Sequence, residues 1–589
     1  MTDRAVLALA AAVGFGAWCS SSVRVPLALA MGVVVLALVV RRPALMIAGG
    51  ALLAASLGQR AWAGLVPPVR GSPVTAEVEL LSDPVEVRGA LKVDVALGHR
   101  RAEAWARGPA ASALRPRLAG ERVVVEGRLR PPPAEARRWL AQRHVSARLS
   151  IDQVGPWTEG SPVTRLANGL RRTLSRGAEP LGSEGRALLT GFVLGDDREQ
   201  SDAVAADFRA AGLTHLLAVS GQNVAFVLVL FRPALSRLGI RGRWAASLAV
   251  IAFFGLLTRW EPSVIRASAM AALACTATGL GRPASRARLL ALAVAGSVLV
   301  DPLLVHSLGF QLSVGATAAI VLFAGPLARH IGGPRCLAEA LAVTLAAQVG
   351  VAPILIPVFG GLPLASIPAN LLAVPAAAPL MVWGLTAGLV AGVMGPPVDA
   401  LLHLPTSWLT GWVAGVARRA AGLPLGQVEL VHLFALAAVG VATAVVVRYR
   451  PRLVVPGAVV AGVVVLVVAI APSGGDLNGW RPAPGAELWR AGSVVLVLDD
   501  ADGGRVLEGL RAEGVRTVDV VVARRGSRPS ASTVALLRSR LDVGTVLAPE
   551  GHVIRDAAVP AVGAQTTVGD LRLRVTAIAP TLEVEVVLA

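Results

Sequence analysis

Lysine is almost missing from this 589-residue chain: of 56 basic residues, only Lys92 is a lysine. Charge of either sign is scarce, with 16% charged residues against roughly 25% in a soluble domain. That deficit excludes a wholly soluble protein. Cysteine is limited to Cys19, Cys275 and Cys336, far apart and in or beside apolar segments. Neither a disulfide framework nor a thiolate metal site follows from them. The phosphate-cradling Gly-x-x-x-x-Gly-Lys-[Ser/Thr] is absent, so a self-powered nucleotide-driven motor is not expected. What is present is 54% hydrophobic residues and a net charge of +18 carried by arginine. Arginine binds phosphate bidentately and stays charged. The same excess also fits arginine-rich cytoplasmic loops of a membrane protein.

Residues 1–66 hold three apolar runs, broken near Ser20–Arg24 and at Arg41-Arg42-Pro43. The first is read as a retained span, not a signal peptide. The Arg41-Arg42 pair places that loop in the cytoplasm and the segment after the third run outside. Residues 71–157 change character: 74–80, 91–97, 123–130 and 145–151 are short half-buried strands separated by turns. An OB-like β-barrel of about five strands fits them. Such barrels bind single strands through a basic groove and aromatic platforms, and Arg101, Trp105, Arg107, Arg128 and Arg130 are the candidates, with Trp139 as the other aromatic. An ordinary solvated basic face explains the same arginines. Residues 162–211 read as amphipathic surface helices, with Leu166, Leu170 and Leu174 at helical spacing.

From 212 to 471 apolar runs dominate, with spans expected near 212–231, 244–258, 263–280, 286–300, 308–325, 337–358, 366–394, 400–417, 429–447 and 453–471. The first is unusual. His215, Ser220, Gln222 and Asn223, with Gly221 among them, interrupt it within one short stretch. Polar groups at membrane depth are expensive unless paired or facing a wet cavity, and glycine-broken spans expose backbone to a substrate. A discontinuous helix facing a pathway is one reading; hydrogen bonds to neighbouring helices are the other. Arg266 enters a second span, as a pathway residue or the partner of an acid such as Glu261, whereas Arg259 suits a snorkelling helix end. Gln311, Ser313, Gln348 and Asn370 intrude on further runs. Residues 472–589 alternate strands (493–500, 518–523, 545–548) and helices (503–512, 530–540), a small α/β unit.

The chain is similar to the ComEC family of competence proteins. The resemblance rests on His215-Leu216-Leu217-Ala218-Val219-Ser220-Gly221, Pro262-Ser263-Val264-Ile265-Arg266, Asp301-Pro302 with Gly309-Phe310-Gln311-Leu312-Ser313, and Gln348 followed by Ala369-Asn370-Leu371 and Val374-Pro375, in family order behind 120–130. It implies a polytopic α-helical membrane protein of the cytoplasmic (inner) membrane, with an N-terminal OB-like β-barrel, a channel domain and a C-terminal metallo-β-lactamase-like α/β domain. It also implies passage of single-stranded DNA, fed by a DNA-receptor competence protein and drawn in by a cytoplasmic helicase-like motor, beside membrane lipid. Self-association is left open.

Fuller family members carry a His-x-His-x-Asp-His cluster after the strand that is 518–522 here. This chain has Ala523-Arg524-Arg525-Gly526-Ser527-Arg528-Pro529-Ser530 instead, and only His552 beyond His432. A hydrolytic metal centre needs several imidazoles or carboxylates and an open position. The expectation is therefore no catalytic residues, no metal and no cofactor. Arg524, Arg525 and Arg528 remain as phosphate contacts. Two other readings stay open: a membrane-anchored nuclease, and a transporter or scaffold for another solute that has lost DNA uptake.

Overall fold

The computed structural model describes residues 2–68, 71–87, 89–217, 219, 221–279, 284–423, 425–435, 438 and 476–588. The span expected at 453–471, and most of that at 429–447, lie outside the described residues. Helices α1 (Asp3–Trp18), α2 (Leu27–Val40) and α3 (Pro43–Ala63) lead into strands β1 (Ser72–Leu80), β2 (Val85–Val87), β3 (Ala90–Leu97) and β4 (Arg100–Ala106). Helix α4 (Gly108–Leu114), β5 (Arg122–Arg130), α5 (Arg137–Ala141) and β6 (Val145–Thr158) complete that part. Next come α6 (Pro162–Gly177), α7 (Gly182–Leu194), α8 (Asp202–Ala210), α9 (Thr214–Leu217), α10 (Gly221–Leu235), α11 (Ile240–Leu257), α12 (Pro262–Gly279), α13 (Arg286–Val300) and α14 (Leu308–Ala319). A π-helical stretch, Ile320–Ala324, joins α14 to α15 (Gly325–His330), followed by α16 (Arg335–Phe359), α17 (Ser366–Met394), α18 (Val398–Leu402) and α19 (Leu404–Ala421). Among the described residues six helical stretches are long and apolar enough to cross a membrane: Asp3–Ser21, Pro43–Ala63, Ile240–Leu257, Leu308–His330, Arg335–Phe359 and Ser366–Met394.

The chain divides into two compact units. The first comprises Met1–Glu199, His215–Ile354 and Val374–Thr410; the second comprises Gln200–Thr214, Leu355–Ala373 and Gly411–Ala589.

In the first unit, Val6, Val13 and Ala17 of α1 pack with Ala54 of α3 and with Ala291, Ala295 and Val298 of α13. Small residues let these backbones approach closely, the usual way helices associate in lipid. Gly177, ending α6, lies so close to the Gly388 carbonyl of α17 that a Cβ there would overlap it. The six strands form one sheet in the order β1-β5-β6-β4-β3-β2, and β1 additionally pairs with β3. Strands β4 and β6 run parallel; all other pairs are antiparallel. Alternation along the strands sends Val78, Leu80, Val93, Val95, Val123, Val125, Leu149 and Ile151 inward, where Leu114 of α4 joins them, as period-two side-chain geometry requires.

The second unit holds β9 (Leu477–Ala483), β10 (Ala486–Ala491), β11 (Ser493–Leu498), α20 (Gly503–Ala512), β12 (Thr517–Ala523), α21 (Arg528–Arg540), β13 (Asp542–Leu547), β14 (Gln565–Val568), β15 (Leu571–Ala577) and β16 (Glu583–Leu588), with a two-stranded pair β7 (Leu362–Pro363) and β8 (Gln427–Val428). The main sheet runs β13-β12-β11-β10-β9, parallel across β11, β12 and β13. Strand β11 is apolar on both faces because both are covered. Leu496 and Leu498 meet Leu507 and Leu510 of α20 and Val534 and Leu537 of α21. Val495 and Val497 meet Leu571, Leu573 and Val575 of the β14-β15-β16 sheet. Near-continuous Val and Leu runs are what doubly covered parallel strands require. Each helix starts on a side-chain cap, Asp502 for α20 and Ser527 for α21, which satisfies an otherwise orphaned N–H.

The 162–211 stretch departs from a simple amphipathic surface reading. Val163 and Leu166 of α6 are exposed and Leu174 is buried, but so are Asn168 and Arg171. The polar face of α6 turns inward because it meets a buried acid. Helix α8 is folded into the second unit instead, with Ala206 in the core built by α20 and α21.

Candidate functional site: a broken helix clamped by a buried arginine

The helix break is present in the backbone: α9 ends at Leu217 and α10 begins at Gly221. Two side chains of α12 hold the gap. Ser263 Oγ donates to the Val219 carbonyl (2.7 Å), satisfying an acceptor that the broken helix leaves unpaired. Arg266, buried, lies against Gly221; a Cβ there would come within 2.9 Å of Arg266 Nη2 and 3.1 Å of Ala267 Cβ. Glycine is needed here for closeness, not for backbone freedom. Arg266 Nε donates to Ser313 Oγ of α14 (2.8 Å) and Nη1 to Met270 Sδ (3.1 Å). Asn223 is buried and donates from Nδ2 to the Phe192 carbonyl of α7 (2.9 Å).

The structure thus brings Gly221, Arg266 and Ser313 together and ties Asn223 next to them. His215 and Gln222 are exposed beside the break. Gln311 donates back to the Val305 carbonyl (2.8 Å), and Gln348 is half-buried on α16. Asn370 donates to the Ser366 carbonyl of its own helix (2.7 Å), within the second unit. Ser220 lies outside the described residues. The acid suggested as partner for Arg266 is not Glu261: the contacts of Arg266 are a hydroxyl and a thioether. Arg259 does not snorkel either. It donates to both oxygens of Asp83 (2.9 and 3.3 Å) and to Asn168 Oδ1 (2.9 Å).

That second contact belongs to a buried ionic node. Asp83, after β1, accepts from Arg171 Nη2 (2.8 Å), Arg259 and the Ala119 N–H (2.8 Å). Arg171, with a side chain only 3% exposed, also reaches Asp196 (3.2 Å) and the carbonyls of Leu257 (2.8 Å) and Leu194 (3.3 Å). Asp196 is clasped by Arg198. Burial alone would raise the Asp83 carboxyl; Arg171, Arg259 and Arg198 overcome it and hold it well below the usual carboxylate range. Arg259 and Trp260 both have positive φ, 62° and 52°, an uncommon conformation for bulky residues. The node therefore fastens the β-sheet region to the α11–α12 corner from which Arg266 projects.

On the β-sheet region, Arg107 is exposed just before α4, and Arg128 and Arg130 on β5. Trp105 is engaged: its Nε1 donates to Glu103 (2.9 Å), which is buried beneath Arg143 and Arg148. Burial would raise Glu103, but the Trp105 and Arg143 hydrogen bonds pull it below its ordinary value. Arg143 stacks on Trp139 (4.0 Å) and Arg117 on Trp157 (3.8 Å). Trp157, 40% exposed, was not singled out from the sequence, although an aromatic in a basic strand is the signal such platforms give. Arg101 instead lines a cavity with His144 and Asp301.

After β12, Arg525 lies against Asp499 (2.9 Å) and Asp500 (3.5 Å), and Ser527 and Ser530 donate to Asp500. Arg524 and Arg525 line a cavity of about 450 Å³ with Thr576 and Thr581. Among the described residues no group of three or more His, Cys, Asp or Glu is arranged to hold a metal.

Residues 192–452, which contain the break and its clamp, match the Competence protein family. Over that stretch, which is less than half of its length, the chain is similar to competence proteins. ComE operon protein 3 of Bacillus subtilis (strain 168) is 25% identical over 310 residues, covering 51% of this chain and 39% of that protein. Uncharacterized protein YcaI of Escherichia coli (strain K12) is 27% identical over 224 residues, 36% of this chain and 30% of that one. The chain thus aligns with well under two thirds of either relative. No solved structure matches it. This likeness and the six apolar helices among the described residues point to a membrane protein.

Proposed function

We propose that this chain is a multi-pass channel of the cytoplasmic membrane that passes single-stranded DNA during natural transformation. The observation that carries the reading is the clamped break: an unwound backbone, one carbonyl held by Ser263, and a buried guanidinium against Gly221. Irregular backbone at membrane depth is tolerated only when shielded from lipid or lining a wet path, and a buried arginine there marks a pathway by default. Arg266 is the phosphate-facing cation in this reading, and Gln222 and His215 flank it.

The β-sheet region is the DNA-capturing module, and we read it as OB-like. Its pairing order with the extra β1–β3 ladder, the parallel β4–β6 pair and a helix between β4 and β5 supports that. Arg107, Arg128 and Arg130 are its phosphate contacts, with Trp139 and Trp157 as stacking faces once their arginines swing aside. The C-terminal unit is a metallo-β-lactamase-like remnant without hydrolytic activity, its acidic corner occupied by Arg525. Pulling force comes from a separate motor, and DNA arrives from a receptor protein.

The test is complementation. The full chain is expressed in a competent bacterium lacking its own channel, and labelled DNA reaching a nuclease-protected cytoplasmic pool is counted. Uptake that returns with the wild-type chain and vanishes with Arg266→Ala, at equal membrane levels, is the expected result. Label that stays nuclease-sensitive with the wild-type chain overturns the channel reading.

A further inference from the structure

A broken helix leaves carbonyls without donors on one side of the gap and N–H groups without acceptors on the other. On the carbonyl side, Ser263 Oγ already donates to Val219 (2.7 Å). On the N–H side, α10 starts at Gly221, and the N–H groups of Gly221 and Gln222 have no acceptor inside their own helix. Gly221 is half-buried and Gln222 exposed, so this end of α10 is open.

Arg266 stands at that same end and is only 6% exposed. Its Nε donates to Ser313 Oγ (2.8 Å) and its Nη1 to Met270 Sδ (3.1 Å). Nη2 has no hydrogen-bond partner among the described residues. It is the guanidinium atom nearest to Gly221, 2.9 Å from where a Cβ would stand. In a helix the Cα–Cβ bond tilts toward the N-terminus, so Nη2 lies on the side to which the first-turn N–H groups point. Among the described residues no carboxylate lies within ion-pair distance of Arg266. A hydroxyl and a thioether do not cancel its charge, and a buried charge without a counter-ion is costly. The N-terminus of α10, a helix of 15 residues, adds a partial charge of the same sign, roughly half an elementary charge. Two positive groups therefore converge at the break, and no acid among the described residues stands between them.

We infer that the break holds one tetrahedral oxyanion, of the class of inorganic phosphate or sulfate, when nothing passes through it. One oxygen accepts from Arg266 Nη2, and a second takes the N–H groups of Gly221 and Gln222. Helix N-termini bind such anions through their free N–H groups and dipole, and a guanidinium adds charge-assisted hydrogen bonds. Several donors converging from a side chain and a backbone suit an ion with several oxygens better than a single-atom halide. Ser313 and Met270 fix the guanidinium from behind, and Ser263 serves the one carbonyl that would otherwise compete for it. The anion neutralises both positive groups, so a crossing molecule must replace it with a charge of the same sign. The site rests on the geometry of the break and not on which solute crosses there.

The test is calorimetric titration of the purified full chain in detergent with inorganic phosphate, ionic strength held constant with sodium chloride. The wild type is expected to take up one phosphate, and its melting temperature to rise with phosphate concentration, as binding to the folded state alone requires. Arg266→Gln is expected to weaken binding at least tenfold and to abolish that rise. It removes a buried charge that lacks a counter-ion, so without phosphate it should melt no lower than wild type. Gly221→Ala keeps the guanidinium and sets a methyl against Nη2; it is expected to weaken binding as well, at least threefold. Arg232→Gln, the same charge change at an exposed position in the last turn of α10, is expected to leave binding unchanged. The proposal is overturned by a wild type that binds no phosphate, or by equal affinity in Arg266→Gln. An equal loss with Arg232→Gln also overturns it, since net charge alone is then read, as does chloride competing as strongly as phosphate. DNA uptake is scored separately: a chain that binds phosphate and imports no DNA loses the channel reading and keeps this site.

Discussion

Asp83→Asn removes the one charge that three arginines share. Arg171 stays at 3% exposure but keeps only Asp196 at 3.2 Å as an ionic partner, together with two carbonyls. Arg259 retains Asn168 alone among its described partners. Removing one member of a buried ion pair costs about 3–5 kcal/mol, because the other charge stays desolvated. Asp196 and the carbonyls offset part of that, so the expected cost is about 3 kcal/mol, the lower end of the buried-pair range. At 1.4 kcal/mol per tenfold, opening of this corner becomes roughly a hundredfold more frequent. Amide hydrogen exchange of the purified full chain in detergent reads that directly in 79–83, 118–123 and 168–172. The sign with pH also follows. The folded-state carboxyl is depressed, so its contribution is complete above the unfolded-state value of about 3.9. It shrinks below that value and is gone once the pH passes beneath the depressed one. Protection in wild type should therefore fall in that acid window, and Asp83→Asn should lack this part of the slope. An exchange pattern in Asp83→Asn within a factor of three of wild type at neutral pH refutes the reasoning.

Other perturbations follow from the same geometry. Gly221→Ala pushes a methyl against Arg266 and Ala267, at about 1–3 kcal/mol for overpacking; a disulfide trap between α10 and α12 should form more slowly, and an unchanged rate contradicts the close approach. Asn223→Leu strips the Phe192 carbonyl of its donor, costing about 1–3 kcal/mol, and should abolish uptake of labelled DNA while the protein still inserts. Asp207→Asn leaves Arg511 and Arg540 without the carboxylate they share at 3.0 and 2.9 Å. It should destabilise the C-terminal unit by roughly 3 kcal/mol, read as a lower denaturant midpoint for that unit by pulse proteolysis. Zinc and manganese analysis of the purified full chain should find less than a tenth of an equivalent; a full equivalent contradicts the remnant reading.

Much of this was legible in the chain because apolar runs and alternation are local signals. The run expected at 366–394 is α17 and 503–512 is α20, whereas the span expected at 286–300 is helix α13, only 15 residues long and not among the six membrane-length stretches. The break was legible too, since glycine and amides inside an apolar run have few other uses. Strand β4 was not, because its buried apolar positions are Ala102, Ala104 and Ala106, too small to stand out against its arginines. The ionic node was invisible for a different reason: Asp83, Arg171, Asp196 and Arg259 are separated by tens of residues, and no period links them. Pairings such as Asp207 with Arg511 and Arg540 are longer still. The sequence alone supported only amphipathic surface helices over 162–211, and two remote guanidinium groups reassign the part that is α8.

Helix α8 lies a few residues ahead of the broken span, yet its Asp207 and Ala206 are finished by side chains three hundred residues later. Cutting the chain after residue 471 to ask whether the tail is dispensable would therefore also strand a carboxylate and bare an apolar stripe of α8. A dead truncation would report that wound as much as any lost activity. Point changes at the acidic corner near Arg525 leave the splint whole and ask the cleaner question.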